Sequence, residues 1–139
     1  MNKDQVKALY PLTVAVRSLF HKMGAAATTL HKDTGMSAGK RAVLESLTNG
    51  GPQTVPQMAR TRPVSRQHIQ GLVNDLLDQG LVEYTDNPAH RRSKLVRTTE
   101  PGRKAFSSLR QRESEAFARL SLEIVADDLD AANRVLSRL

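Results

Sequence analysis

The 139-residue chain has no cysteine and no tryptophan, and aromatic residues make up only 4% of it. The absence of cysteine excludes disulfides, thiolate metal sites and thiol chemistry, and it fits an intracellular protein. No apolar run approaches the roughly 20 residues that span a bilayer, and the first residues lack the apolar core of a signal peptide. We therefore expect one cytoplasmic domain over residues 1–139 that does not contact a membrane.

Catalytic and metal-binding patterns are also missing. The four histidines fall in separate parts of the sequence without metal-ligand spacing. The sequence has no phosphate-binding glycine loop, no nucleophile elbow and no paired carboxylate motif. We therefore predict a protein that is not an enzyme and that has neither a metal nor a cofactor.

Positive charge is abundant and unevenly distributed. The formal net charge is +7, and Lys plus Arg outnumber Asp plus Glu by 7 to 3 in residues 1–59 and by 9 to 5 in 60–104, but not in 105–139, where the count is 5 to 6. Phosphate backbones favour clustered positive charge through the release of counterions. The distribution makes a nucleic acid the first partner to consider for the chain up to residue 104.

Apolar residues at helical spacing predict the first two helices. The first extends to about Lys32, and Pro11 requires that it either starts near Tyr10 or is kinked there. The second begins after Ser37, whose side chain is suited to cap a helix N-terminus. It ends at residues 49–52, which contain two glycines and a proline.

A helix-turn-helix follows. Thr54 and Gln57 have the spacing of a capping box, which predicts a short helix to about Thr61. Ser65 is suited to cap the next helix, and Gly80 stands where its C-terminal cap is expected. The apolar stripe of that helix is formed by Ile69, Leu72, Val73, Leu76 and Leu77.

After Gly80 the spacing of the apolar residues changes from helical to strand-like. Residues 81–85 and 94–98 favour strands, and residues 86–93 between them have the composition of a hairpin loop. We call this hairpin, residues 81–98, the wing. A helix that starts at Thr99 or Glu100 follows it.

Two helices end the chain. The helix that starts after the wing is predicted to continue through Ile124, and a last helix covers residues 127–139. The predicted fold class is mainly α with a small β-hairpin (α+β), in which residues 36–106 form a winged helix-turn-helix core and residues 1–35 and 107–139 form dimerisation helices.

The terminal helices have apolar stripes that a single chain of this size covers poorly. Homodimerisation is the simplest way to bury them. The residues predicted to form the dimer interface are Leu9, Val16, Phe20, Phe106, Leu109, Phe117, Leu120, Leu129 and Leu136.

Two regions have the residue types that read duplex DNA. In the helix after Ser65, the face opposite the apolar stripe bears short polar side chains, and glutamine and asparagine are suited to adenine. At the tip of the wing, Arg91 and Arg92 can enter a minor groove or contact its phosphates. Arg60, Arg97 and Arg103 are expected to add phosphate contacts. The predicted DNA-binding residues are Thr54, Arg62, Ser65, Arg66, Gln67, His68, Gln70, Gly71, Asn74, Arg91, Arg92 and Lys94.

Residues 36–106 resemble the winged-helix core of the MarR family of bacterial regulators. The segments that carry the resemblance are Thr54-Val-Pro-Gln-Met-Ala-Arg, Val64-Ser-Arg-Gln, Gly80-Leu-Val-Glu, Asn87-Pro, Arg91-Arg92 and Gly102-Arg103. The resemblance implies a homodimer that binds a pseudo-palindromic operator, with the helix from Ser65 in major grooves and a wing arginine in minor grooves. It also implies a repressor that a small anionic or aromatic effector releases, at a site the sequence does not locate.

Three positions depart from the family pattern. The wing commonly reads Asp-Arg-Arg, and His90 replaces the acid. Arg62-Pro63 replaces a Leu-Gly pair in the turn. Arg41 stands where the family often has tryptophan, and it is either a solvated helix charge or an anchor for an anionic effector. The alternative function on the same fold is a protein-interaction or RNA-binding module that recognises no operator.

Overall fold

The computed structural model describes residues 2–62, 64–119 and 124–138. Within these residues the chain is mainly helical, with one two-stranded antiparallel sheet, which confirms the predicted fold class. The elements are α1 (Lys3–Leu30), a 3-10 turn (Lys32–Thr34), α2 (Ala38–Gly50), α3 (Val55–Arg60), α4 (Arg66–Asp78), β1 (Val82–Thr85), β2 (Leu95–Thr98), α5 (Glu100–Ala118) and α6 (Ala126–Leu136). None of these helices is both long and apolar enough to cross a membrane.

Pro11 lies inside α1. Because α1 begins at Lys3, the predicted start near Tyr10 is wrong. A proline has no amide proton for the carbonyl four residues earlier, so the helix continues here with one backbone hydrogen bond fewer. The Thr13 hydroxyl donates to the Tyr10 carbonyl at 2.8 Å in the same turn. The 28-residue helix thus tolerates a proline in its N-terminal half.

The predicted helix starts in the core are confirmed by their caps. The Ser37 hydroxyl accepts a bond from the Lys40 amide at the start of α2. Thr54 and Gln57 form the complete capping box of α3, in which each side chain accepts from the other residue's backbone N–H. Such caps satisfy amides that a first helical turn leaves without partners.

The hydrophobic core lies between α2, α3, α4, the wing and the first half of α5. Its side chains are completely or almost completely buried, and the apolar stripe predicted for α4 supplies three of them. The buried members are Met36, Val43, Leu44, Leu47, Val55, Met58, Ile69, Val73, Leu76, Val82, Val96, Phe106 and Leu109. The helix-turn-helix and the wing therefore share one packed scaffold.

The second strand of the wing is joined to the segment just before α3. In the β1–β2 ladder Val82 pairs with Thr98 and Thr85 with Leu95. Gln53, just before α3, adds a bridge to Val96 with backbone hydrogen bonds of 2.8 and 3.0 Å. The hairpin consequently has a fixed orientation relative to the helix-turn-helix.

The C-terminal helices differ from the prediction in extent. α5 ends at Ala118, so its predicted continuation through Ile124 is wrong. Ile124 itself is not helical. Leu120, predicted for the dimer interface, lies outside the described residues. α6 begins one residue before the predicted Asp127 and ends at Leu136.

Two residues predicted for the dimer interface belong instead to the core of the single chain. Phe106 and Leu109 are each 3% exposed and pack in the hydrophobic cluster beside α2. Apolar spacing alone cannot distinguish a stripe that faces a partner from one that faces the chain's own core. The first half of α5 is therefore part of the winged-helix scaffold.

Candidate nucleic-acid interface

The turn between α3 and α4 is fixed by side chains that the sequence suggested for DNA contact. The Arg62 guanidinium donates to the carbonyl of Ala42 in α2, which ties the turn to the core. Thr54 is only 6% exposed, and its hydroxyl accepts the Gln57 amide. The Ser65 hydroxyl caps α4 by accepting the His68 amide at 3.1 Å. Arg62 and Ser65 therefore fix the turn and the start of α4, and Thr54 fixes the start of α3.

The outer side of α4 presents a polar surface. Ile69, Val73 and Leu76 are at most 1% exposed and hold the helix against the core. The opposite side is exposed, and we call it the recognition face: Arg66, Gln67, His68, Gly71 and Asn74. Within the described part of the chain, no heavy atom beyond its two chain neighbours and the helix's own backbone lies within 4 Å of a Cβ built on Gly71, so the face is open there.

Gln70 lies at the edge of the recognition face and is half-buried. Its side-chain amide nitrogen donates to Asn74 Oδ1 and to the Tyr84 hydroxyl, with both bonds at 2.9 Å. Tyr84 belongs to β1 and is 39% exposed. Sequence reasoning missed Tyr84, because its contact depends on how the wing packs against α4. The alternation of β1 offered only a weak signal for it.

The tip of the wing is shaped by Asn87. Its side-chain amide donates to the Ser93 carbonyl at 2.8 Å, and its side-chain oxygen accepts from the Ala89 amide at 3.1 Å. An asparagine that bonds its neighbouring backbone in this way stabilises a tight turn. Arg91 and Arg92 project from this loop with exposed side chains.

The basic residues around the wing fall into two groups. Lys94 is exposed, and together with Arg92 it lines an open cleft of about 340 Å³ between α3, α4 and the wing. Arg97 and Arg103, expected to contact phosphate, instead form ion pairs of 2.8 Å with Glu83 and Glu100, respectively. Those two pairs are exposed, so a phosphate can compete for the arginines at modest cost.

A partly buried ionic cluster joins the end of α1 to α2 and α5 on another side of the core. We call its three residues, His31, Arg41 and Glu113, the anchor cluster. Arg41 donates to both carboxylate oxygens of Glu113 at 2.5 and 2.6 Å, and Glu113 also contacts His31 Nε2 at 3.2 Å. Arg41 further pairs with Glu45 and lies 5.8 Å from the centre of the Phe106 ring. The interpretation of Arg41 as a solvated charge is therefore wrong.

The contact between Arg41 and Glu113 shifts the pKa of both side chains. The hydrogen bonds from Arg41 lower the pKa of Glu113, against desolvation, which raises it, and His31 adds to the lowering. The same bonds raise the pKa of Arg41. Since a carboxylate and a guanidinium satisfy each other here, the cluster holds α5 to α2 by charge as well as by packing.

Three helices, α1, α5 and α6, leave apolar side chains uncovered in the single chain. On α1, Val16 is 41% and Phe20 73% exposed, whereas Leu9 is half-buried. In the C-terminal part the exposed residues predicted for the interface are Phe117, Leu129 and Leu136, with exposures of 58%, 50% and 44%. A soluble monomer rarely exposes so many large apolar side chains close together.

The architecture defined by α2, α3, α4 and the wing is a winged helix. Residues 34–93 match the model of the MarR family. The crystal structure of the MarR family transcription regulator SP03579 superposes with a TM-score of 0.80 at 27% identity, over 97% of this chain and 89% of that one. A mutant MarR from E. coli complexed with operator DNA superposes with a TM-score of 0.75 at 19% identity, over 94% of each chain.

Curated sequences give a consistent result. The transcriptional activatory protein BadR of Rhodopseudomonas palustris is 31% identical over 109 residues, which cover 71% of this chain and 62% of BadR. The chain spans about three fifths of the length of the curated relatives it matches. The chain is therefore similar to the MarR family over residues 34–93 and resembles MarR-family regulators in fold.

Proposed function

We propose that the chain is a transcriptional regulator that binds double-stranded DNA in a sequence-specific manner. One observation carries the proposal: the exposed recognition face of α4 and the exposed arginines of the wing stand on one rigid winged-helix scaffold. The similarity of residues 34–93 to the MarR family supports it, and a structurally similar MarR protein is known in complex with operator DNA. Activity on the chromosome would place the protein in the cytoplasm.

In this proposal α4 lies in the major groove and the wing follows the backbone to a minor groove. An α-helix fits the width of a major groove, where short polar side chains meet base edges. Gln67 and Asn74 offer amide groups for this purpose, and Arg66 and His68 offer donors. Arg91, Arg92 and Lys94 contribute charge toward phosphates and, where the minor groove is narrow, toward its floor.

We further propose a homodimer formed through the uncovered faces of α1 and α6. Two copies related by a two-fold axis would present two α4 helices to successive major grooves, so the operator would be a pseudo-palindrome. The exposure of Phe20, Leu129 and Leu136 in the single chain supports this arrangement.

We propose repression, relieved by a small anionic or aromatic effector, as the mode of regulation. Binding at a promoter blocks polymerase without any further activity of the protein, so repression requires the fewest features. BadR is named an activatory protein. A reporter fused to the recovered operator distinguishes the two modes, because deletion of the regulator raises expression under repression and lowers it under activation.

The test of DNA binding uses duplex fragments recovered from the source genome with the purified protein. We expect enrichment of a palindrome and a steep loss of affinity with salt, since each neutralised phosphate releases counterions. Arg92→Ala should weaken binding by about tenfold and make the salt dependence shallower, whereas Arg110→Ala, an exposed arginine on α5 with the same charge change, should not. Equal effects of the two substitutions would contradict the assigned role of the wing.

A further inference from the structure

We propose that Tyr84 is a specificity-determining residue that positions the base-reading amide of Asn74 through Gln70. We call Tyr84, Gln70 and Asn74 the relay. The inference rests on the proposed function, because it assigns roles within the surface that would meet DNA. In this arrangement Asn74 reads adenine through two hydrogen bonds, and Gln70 supports Asn74 without making that contact itself.

Gln70 uses both of its side-chain donors within the protein. A glutamine amide has two N–H donors and one carbonyl acceptor. Both donors are committed, one to Asn74 Oδ1 and one to the Tyr84 hydroxyl, each at 2.9 Å. A two-bond contact with adenine needs a donor for N7 and an acceptor for the N6 amino group. With the relay intact Gln70 can supply only the acceptor.

Asn74 has the capacity that Gln70 lacks. Its Oδ1 accepts one bond from Gln70 and keeps a second lone pair. Among the described residues no protein group accepts from its amide nitrogen, so both of those protons are available. Asn74 is exposed and lies one helical turn beyond Gln70 on the outer side of α4. The bond from Gln70 fixes which end of the Asn74 amide is the acceptor, so donor and acceptor are sorted before DNA arrives.

Tyr84 provides the fixed end of the relay. In the β1–β2 ladder Tyr84 pairs with Val96. Val96 is completely buried and forms a bridge with Gln53. The phenol therefore projects from an immobile part of the wing. Its hydroxyl accepts from Gln70 and still has a proton to donate. A fixed first partner restricts the rotamers of Gln70, and a restricted Gln70 restricts Asn74, which lowers the entropy lost on binding.

The experiment selects duplexes from a pool with a randomised centre, using the full-length chain, and compares wild type with Tyr84→Phe and Asn74→Ala. Tyr10→Phe is the matched control, because Tyr10 is the other tyrosine of the chain and lies exposed on α1. Wild type and control should enrich the same site, with one adenine in each half. Asn74→Ala should remove the preference at that base pair, and Tyr84→Phe should reduce it about threefold to tenfold.

If Tyr84 had only a structural role, Tyr84→Phe would lower the unfolding temperature and the affinity for every duplex. Base preference would stay unchanged. We expect Tyr84→Phe to keep its affinity for a random duplex while losing preference at the one position. Base preference that is equal to wild type, or stronger because Gln70 gains a free donor, overturns the relay. A wild type that enriches no site overturns the proposed function, which separates the two failures.

Discussion

Glu113 illustrates how one residue joins elements distant in sequence. Its carboxylate accepts two bonds from Arg41 in α2 and one contact from His31 at the end of α1. Glu113 and Arg41 are each about one fifth exposed, so solvent screens the pair only partly. His31 Nδ1 is buried and has no partner among the described residues, so Glu113 is the main polar support for that ring.

Replacing Glu113 with glutamine should therefore destabilise the fold. Glu113→Gln keeps the shape but removes the negative charge, which leaves the Arg41 guanidinium partly buried without its main counter-charge. We expect a loss of about 2 kcal/mol in the free energy of unfolding, below the range for fully buried pairs. Urea unfolding measures it. Glu115→Gln, two residues further on the exposed side of α5, is the control and should stay within about 0.5 kcal/mol of wild type.

The same carboxylate should contribute to acid sensitivity. Because the folded pKa of Glu113 is lowered by its bonds to Arg41, its contribution is fully present above the ordinary value of 4.5 and is lost as pH falls through the lower folded pKa. The stability difference between wild type and Glu113→Gln should therefore be constant from pH 7 to about pH 5 and shrink below pH 4.5. A difference that grows on acidification would contradict the assigned ion pair.

At the scale of elements, features set by residues close in sequence could be predicted, whereas features set by packing could not. The caps at Ser37, Thr54 and Ser65 could be read from sequence because each involves residues three apart. Pro11 and the end of α5 could not, since packing and chain length decide whether a helix tolerates a breaker or continues.

The candidate site also has one part that could be predicted from the sequence and one part that could not. The recognition face of α4 follows from its apolar stripe alone, whereas the bond between Gln70 and Tyr84 joins residues 14 positions apart in different elements. The contact between Arg41 and Glu113 spans 72 positions. Periodicity places a side chain on a face but does not identify its partner across the fold. Phe106 was assigned to the wrong surface for that reason.

Two helical glycines test how the elements pack. A Cβ on Gly102, in the first turn of α5, would lie 1.9 Å from the backbone oxygen of Leu81, so the helix could not stay against the end of the turn before β1. Gly102→Ala should cost about 3 kcal/mol. Gly71→Ala on α4 meets open space and should instead stabilise the fold by about 0.5–1 kcal/mol.

Thermal or urea unfolding of both variants measures this difference in sign. Gly71→Ala also adds a methyl group to the recognition face, so its DNA affinity should fall although its stability rises. If Gly102→Ala were as stable as wild type, the close contact between α5 and Leu81 would be refuted.

At the scale of the whole molecule, net charge and exposed apolar surface are distributed differently along the chain. Net positive charge is concentrated before residue 105, and the remainder is close to neutral, with 5 basic and 6 acidic residues. The large exposed apolar residues are concentrated on α1 and in the C-terminal part. A dimer through α1 and α6 would therefore bury this apolar surface and leave both winged helices available to DNA.

Phe20 tests that arrangement, because it is 73% exposed on the apolar side of α1. Phe20→Glu should produce monomers, since a carboxylate would have to be buried in the interface without a partner. Ser18→Glu adds the same charge about 160° around the same helix and should remain dimeric. Sedimentation velocity distinguishes the two.

Because the affinities of two half-sites combine only in a dimer, Phe20→Glu should lose at least about a hundredfold in affinity for a palindrome and far less for a single half-site. A dimeric Phe20→Glu variant, or a monomeric wild type, would contradict assembly through α1.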